Sequence, residues 1–555
     1  HLRPIIDLKT SNGRLKFREV ARQTALIVKK HHGSLSGEHG DGRLRGEFIP
    51  LVYGVEAYSL MKEVKNVWDP DKVFNVGKIT DTPPMDKWLR YDAPMKYALV
   101  SQIGENSTYY NWRAAFDECK TPGVHGVSSQ CHALMCSVEQ CNGAGDCRKS
   151  DLIGGTMCPA FKESRDELKT TRARANVIRE ILTRGDESEI FKSEILREVL
   201  DSCLACKGCK SECPSNVDMT KIRSELLQHF YDRNGMPIMT GLISRLSTIN
   251  KLASPFAAIY NSLLNVGLFE RLLKKSMDFA IERHIPRLGR KTMRQLVKAL
   301  PQNKTGRKVF LFADEFINYQ EAEIGLSFAQ LLIALGYEVE IPKHRESGRA
   351  AISKGNLKYA RKCAEKNVDC LSGIISDSTP LVGIEPSCIL TFRDEYPDLV
   401  EPQKRSIAKK LAGNCLLYDE FLLKELEAGR ISPDSFRHEA LTIWLHGHCH
   451  QKALVGIDKT AGVLERLLHA EVKVIPSGCC GMAGSFGYER KHYETSMKIG
   501  EMTLFPTVRK AVNDSAESPV PMVVAAPGIS CRQQILDGTG VRSVHPIEIL
   551  YKRMN

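Results

Sequence analysis

Apolar positions along the chain change period from one stretch to the next, and each change predicts a different element. His1 to Leu8 reads as a short buried strand. Lys16 to Lys30 places Val20, Ala21, Ala25 and Val28 on one helical face and predicts an amphipathic helix. Tyr91 to Asp117 has mixed polarity and reads as a linker. Ser164 to Leu182 and Glu187 to Leu200 read as helices. From Met236 to Leu300 apolar and basic residues alternate at helical spacing, interrupted by Pro255 and Pro286, which predicts a helical connector. Beyond residue 305 strands and helices alternate. Lys308-Val-Phe-Leu-Phe-Ala and Tyr337-Glu-Val-Glu-Ile read as strands around a helix over Ala322 to Leu335. The order recurs as Thr442-Ile-Trp-Leu-His, a helix from Thr460 to Leu468, Glu471-Val-Lys-Val-Ile and Met522-Val-Val-Ala-Ala. Such a repeat of βα units predicts two lobes, each with a parallel sheet.

Cysteine grouping adds chemistry to this outline. Cys203-Leu-Ala-Cys206-Lys-Gly-Cys209-Lys-Ser-Glu-Cys213-Pro214 has the C-x2-C-x2-C-x3-C-P spacing of bacterial ferredoxins. Three thiolates so spaced wrap one cubane cluster and the fourth serves a second cluster. Cys158-Pro159 supplies the missing ligand of the first, so the first set is Cys203, Cys206, Cys209 and Cys158. A structural zinc site is the alternative, disfavoured because four Cys in one run closing on Pro are unusual for zinc. Cys141 and Cys147 join Cys213 for the second cluster. Ala144 stands where a central Cys is expected, which leaves three irons, Cys136 or a non-Cys ligand to complete it. Cys119 and Cys131 read as buried thiols. Arg148, Lys149, Lys207 and Lys210 would raise the reduction potential, or are plain surface charges. Later, His448-Cys449-His450, Ser477-Gly-Cys479-Cys480-Gly481 and Ser530-Cys531-Arg532 each follow a predicted strand, where a doubly wound sheet presents its ligands. His448 and His450 support the ligands from behind, or else ligate or tune the cluster or bind the terminal acceptor. Cys363, Cys370 and Cys415 are assigned to packing.

Near the start, His31-His-Gly-Ser-Leu-Ser-Gly-Glu38-His39-Gly40-Asp41-Gly42-Arg43 is a glycine-rich loop around a carboxylate and an imidazole. Its glycines allow tight bending beside a ligand, and Glu plus His can ligate a divalent metal. Trp68-Asp-Pro-Asp-Lys-Val-Phe-Asn75-Val-Gly-Lys78 follows.

Length and composition narrow the classes. At 555 residues the chain holds about three or four domains. Its 18 Cys are clustered rather than spread as a secreted disulfide framework, which points to a reducing compartment. The longest apolar region, Leu252 to Leu268, is broken by Pro255 and Asn261 and falls short of a membrane span. The net charge of +12 is dispersed, which argues against nucleic acid and is compatible with anionic substrates or an anionic membrane surface. The opening at His1, with no lead, reads as a fragment cut within a domain.

The Ser-Gly-Glu-His-Gly-Asp-Gly-Arg loop with Asp-Pro-x-x-x-Phe-Asn-x-Gly-Lys resembles the C-terminal end of the FAD-linked oxidases, a family that includes D-lactate, glycolate and D-2-hydroxyglutarate dehydrogenases. The resemblance implies that His1 and Glu38 hold a divalent metal such as zinc, Arg3 contacts substrate, and His39 is the substrate base or a substrate contact. It places Asn75 and Lys78, with Gly40 and Gly42, near FAD. The Cys479-Cys480-Gly-Met group resembles the CCG cysteine-rich domain of heterodisulfide reductases and glycerol-3-phosphate dehydrogenases, with Gln534 replacing a closing Cys. In a worn first copy, Glu346-Ser-Gly-Arg349 stands where Cys-Cys-Gly-Arg would be and Cys388 is kept. Cys388 either reaches over to join Cys449, Cys479, Cys480 and Cys531 or is structural.

The expected fold class is mixed α/β: the end of a FAD-linked oxidase C-terminal domain (1–90), a linker (91–130), an α-helical two-cluster ferredoxin (131–235), a helical connector (236–300) and two CCG-type lobes (305–400 and 401–555) with parallel sheets. The expected activity is oxidation of a D-2-hydroxy acid at FAD, with electrons passing through 4Fe–4S clusters to a quinone or carrier protein. The expected place is the cytoplasm, with room for peripheral membrane contact. A pure electron-transfer module and a thiol–disulfide reductase are the alternatives.

Overall fold

The computed structural model describes residues 4–90, 103–104, 107–113, 129–184, 190–302 and 307–555. The chain divides into two compact units, His1–Tyr97 with Thr121–His125, and Ala98–Lys120 with Gly126–Asn555.

The first unit is helical where described. Thr10 caps the helix Ser11–Lys30 by accepting from the Gly13 N–H at 3.0 Å, so the helix starts five residues before the expected Lys16. Ile49–Tyr53 and Val55–Trp68 follow. Ala25, Phe48 and Met85 form a small core with Phe17, Ala21 and Leu35 packed on it. The expected strand at the start is not formed over residues 4–8, and Ile5 is 90% exposed. No described segment of this unit pairs with it, and an unpaired strand leaves its backbone groups to water.

The second unit opens with a helical, cysteine-bearing part. Its helices are Gln130–Glu139, Pro159–Ser164, Thr171–Arg184, Glu194–Asp201, Gly208–Glu212 and Met219–Asn234. The long helix expected from Ser164 to Leu182 breaks at Arg165, which sits at φ 57, and restarts at Thr171. Ser193 Oγ accepts from the Leu196 N–H at 3.3 Å and delays the next helix to Glu194. The connector has short helices at Ile238–Ser244, Leu246–Ala253, Ala257–Leu263, Gly267–Ser276 and Met293–Lys298. Among the described residues no single helix is long and apolar enough to cross a membrane.

Two parallel sheets complete the unit. In the first, β1 (Lys308–Phe312) lies between β2 (Glu338–Glu340) and β3 (Leu381–Gly383), and β4 (Cys415–Leu417) pairs outside β3. In the second, β5 (Thr442–Leu445) lies between β6 (Glu471–Val474) and β7 (Met522–Ala525). The expected lobe boundary at residue 400 is therefore corrected. β4 is paired residue for residue with β3, Leu381 opposite Cys415, so the first lobe extends past it. The lobes share one core, with Val309, Leu311, Phe328 and Val382 from one and Ile443, Leu445, Leu464 and Ile547 from the other.

Candidate iron–sulfur centres and the glycine loop

The ferredoxin-like turn holds its thiols inward. Ala205 at φ 53 and Lys207 at φ 62 curl the chain so that Cys206 and Cys209 are both buried. Cys158, just before the helix Pro159–Ser164, faces the same place. The Arg174 guanidinium donates to Cys158 Sγ at 3.3 Å, Val199 O at 2.9 Å and Ser202 O at 3.1 Å. Burial would lower the Arg174 pKa, but the nearby Cys158, Cys203 and Cys209 outweigh it and hold it above its usual value. A buried cation facing three thiols calls for negative charge between them. Cys203, Cys206, Cys209 and Cys158 fit the donor set of a 4Fe–4S cluster, whose thiolate-ligated core is anionic.

Cys141 and Cys147 also come together. Burial pushes the Cys147 thiol up, the Arg172 N–H at 3.4 Å lowers it, and Cys158 and Cys141 raise it further. Gly143 and Gly145, both at positive φ, carry the loop between them. Cys213 follows the helix Gly208–Glu212 and is half-buried, as is Cys136 on Gln130–Glu139. Cys131 is buried and its thiol donates to Gly104 O at 3.0 Å. Cys119 lies outside the described residues.

In the C-terminal lobe the three motif groups meet at the carboxyl ends of β5, β6 and β7. Cys449 opens the helix Cys449–Leu454, and Cys531 lies in the first turn of Ile529–Thr539. The thiols form a continuous row, Cys449 to Cys479 to Cys480 to Cys531, all buried. Hydrogen bonds from Cys479 and Cys531 hold Cys480 well below its ordinary pKa, and Cys479 draws Cys449 to about 7. A further residue joins them. His446 Nδ1 is 2.7 Å from Ser477 Oγ, and one ring nitrogen lies with the Cys480 and Cys531 sulfurs within 4.8 Å of one another. Burial, then Lys452, lowers His446 to about 4, so it is a neutral ring. The sequence reasoning missed it because it ends the strand run Thr442-Ile-Trp-Leu-His. Its position at a strand's carboxyl end was the available signal.

Cys388 sits beside Ser347, Glu315 and Asp314 of its own lobe, where burial pushes its thiol up. The helix that carries it, Pro386–Asp394, aims Glu385 across: Oε2 accepts from the Ile529 N–H at 2.9 Å, and Oε1 lies 3.9 Å from His448 Nε2.

The ferredoxin-like turn and the C-terminal row abut. His450 Nε2 donates to Ala205 O at 3.0 Å, and Cys449 is close enough to help raise the Cys206 thiol, after burial. Gly478 has no room for a Cβ, which would fall 2.9 Å from Gly155 O. Lys207 pairs with Asp394 and Glu395, all three buried, and ties the turn to the first lobe.

In the first unit, Glu38 and His39 are about two-thirds exposed, with His39 Nε2 3.4 Å from Glu38 Oε1. Gly40 and Gly42 stand at positive φ with open space where a Cβ would be. The Ile79 N–H donates to Gly42 O at 2.8 Å, which brings the second motif against the loop. Asn75 there takes φ 46 and accepts from Lys78 Nζ at 3.3 Å. Buried Asp69 shapes that motif by accepting from the Val73 and Phe74 N–H groups at 2.6 and 3.0 Å. His1 and Arg3 lie outside the described residues.

Comparison with known proteins gives the same parts. Residues 1–79 match the family described as FAD linked oxidases, C-terminal domain, and residues 140–218 match the 4Fe-4S dicluster domain. The chain is similar to D-2-hydroxyglutarate dehydrogenases. It is 25% identical to that of Escherichia coli K12 over 599 aligned residues, covering 99% of this chain and 54% of the relative, and 26% identical to that of Pseudomonas putida over a similar span. The chain thus spans about half the length of these curated relatives. One component of the anaerobic glycerol-3-phosphate dehydrogenase of Escherichia coli K12 is 25% identical over 58% of this chain and 78% of its own. No solved structure matches the chain. The two matched domains tie it to FAD and to 4Fe–4S clusters.

Proposed function

We infer that the chain serves a flavin and iron–sulfur dehydrogenase that oxidises a D-2-hydroxy acid, 2-hydroxyglutarate or lactate, to the 2-oxo acid and passes the electrons to a quinone or a carrier protein. The observation that carries this reading is the abutment of two thiol groups, Cys203–Cys209 with Cys158 and Cys449–Cys531, across the His450–Ala205 hydrogen bond. When bound, FAD supplies hydride acceptance and the clusters supply one-electron carriage.

The chain's own residues do the rest. Cys203, Cys206, Cys209 and Cys158 hold one cluster, and Cys141, Cys147 and Cys213 hold another. Cys449, Cys479, Cys480 and Cys531, with His446, hold the C-terminal centre. His39 takes the substrate hydroxyl proton and Arg3 pairs with its carboxylate. Glu38, with His1, holds a divalent metal such as zinc, and Gly40, Gly42, Asn75 and Lys78 border the flavin. The lobes divide between β4 and β5. The basic and apolar connector supports peripheral contact with the inner face of a cytoplasmic membrane.

The test is anaerobic addition of D- or L-2-hydroxyglutarate, or D- or L-lactate, to the full-length iron-loaded protein. A D form should bleach the cluster absorbance and its L form should not. No reduction by any of them, or colourless protein holding zinc without sulfide, overturns the reading. The second reading, an electron-transfer module with no substrate site of its own, draws on the exposure of Glu38 and His39. Stoichiometric FAD binding in an anaerobic titration would dismiss it.

A further inference from the structure

The connector helices and the C-terminal centre border a large, partly open space. A chamber of about 1150 Å³ lies there, larger than most small-molecule sites. Cys449, Cys480, His448 and His450 line part of it. Leu246 and Leu273, from the helices Leu246–Ala253 and Gly267–Ser276, line its apolar wall. A ligand suited to it would be largely apolar and would present its reacting group to the cysteines.

The outer faces of the same helices indicate where the ligand comes from. Leu252, Phe256, Ile259, Leu268 and Leu272 are exposed, with Lys251, Arg271 and Lys275 exposed among them. Apolar side chains mixed with cations suit the headgroup level of an anionic bilayer.

We propose that this chamber binds a lipophilic quinone, its ring facing the centre that Cys449 and Cys480 hold and its tail along Leu246 and Leu273. The proposal rests on the electron-delivery reading above and gives that reading its acceptor and its exit. Each quinone takes two electrons, those given up by one hydroxy acid, and two protons from solvent, and leaves as the quinol. The hydroxy acid releases its two hydrogens as protons, so the exchange balances.

The experiment uses full-length iron-loaded protein reduced anaerobically with a viologen dye, then mixed with a decyl-tailed benzoquinone or with ferricyanide. Leu246→Trp and Leu273→Trp each put an indole into the chamber wall where the tail would lie. Each should slow quinone reoxidation about tenfold or more, while ferricyanide still oxidises the protein. An azido-substituted quinone, photolysed in the wild-type protein, should label peptides containing Leu246, Leu273 or His450. Unslowed quinone reoxidation in both variants, or labelling confined to other peptides, overturns the proposal. Should ferricyanide oxidation slow as well, the labelled positions decide. Because the reductant is a dye, a hydroxy acid that fails to reduce the clusters counts against the dehydrogenase reading and leaves this test intact.

Discussion

Replacing Arg174 by methionine should lower the reduction potential of the Cys203 group while largely preserving side-chain volume. Arg174 is 1% exposed and faces Cys158, Cys203 and Cys209. At a separation of about 5 Å and an effective dielectric constant of about 20, a unit charge contributes about 3 kcal/mol. For a one-electron couple about 59 mV is a factor of ten, or about 1.4 kcal/mol, so the loss corresponds to a fall on the order of 100 mV. Arg174→Lys keeps the charge but not the fork that also bonds Val199 O and Ser202 O, and should shift the potential by less than half as much. Stability should fall too, by about 1–3 kcal/mol for each buried carbonyl left unpaired. The measurement is a potentiometric titration followed by electron paramagnetic resonance, with a urea titration alongside. A potential within about 20 mV of wild type, or a rise, would refute the claim that a buried positive charge sets this site.

His446→Ala should change the resonance signature of the C-terminal centre and leave the Cys203 signals in place; identical spectra would remove His446 from that centre. Burial, then Glu315, pushes Glu346 up to about 7 from its ordinary 4.5. Its contribution to stability is therefore full below about 4.5, declines as pH rises, and is lost above about 7, up to about 3 kcal/mol in all. Urea midpoints should fall across that window, and Glu346→Gln should flatten the fall. Lys207→Met should cost about 3–5 kcal/mol by leaving buried carboxylates with less charge to meet. A cost under about 1 kcal/mol would mean that Lys210 and Arg349, which also pair with Asp394 and Glu395, already satisfy them.

Much of the plan was legible because metal ligands and strands leave short-range marks. Three cysteines two residues apart can wrap one cluster face whatever the rest of the fold does. The apolar runs at Lys308, Thr442, Glu471 and Met522 became strands within a residue or two of their expected ends. What stayed hidden depends on distant neighbours. β4 is three residues long and is a strand only because β3 lies beside it, so the lobe boundary was placed too early. Cys388 and Glu385 share a helix, and which of them crosses to the second lobe depends on that helix's rotation, which spacing does not encode. The chamber is assembled from segments between Leu204 and Glu548 and has no local signature. The first residues read as strand from their apolar content, yet no described partner strand exists to pair with them.

Gly478 and Gly155 meet backbone to backbone, with no side chain between them. A methyl group on Gly478 would press on that backbone and push apart the segments that carry Cys158 and Cys479. Two cysteine groups far apart in sequence are thus held at their distance by a residue with no side chain and no reactive atom.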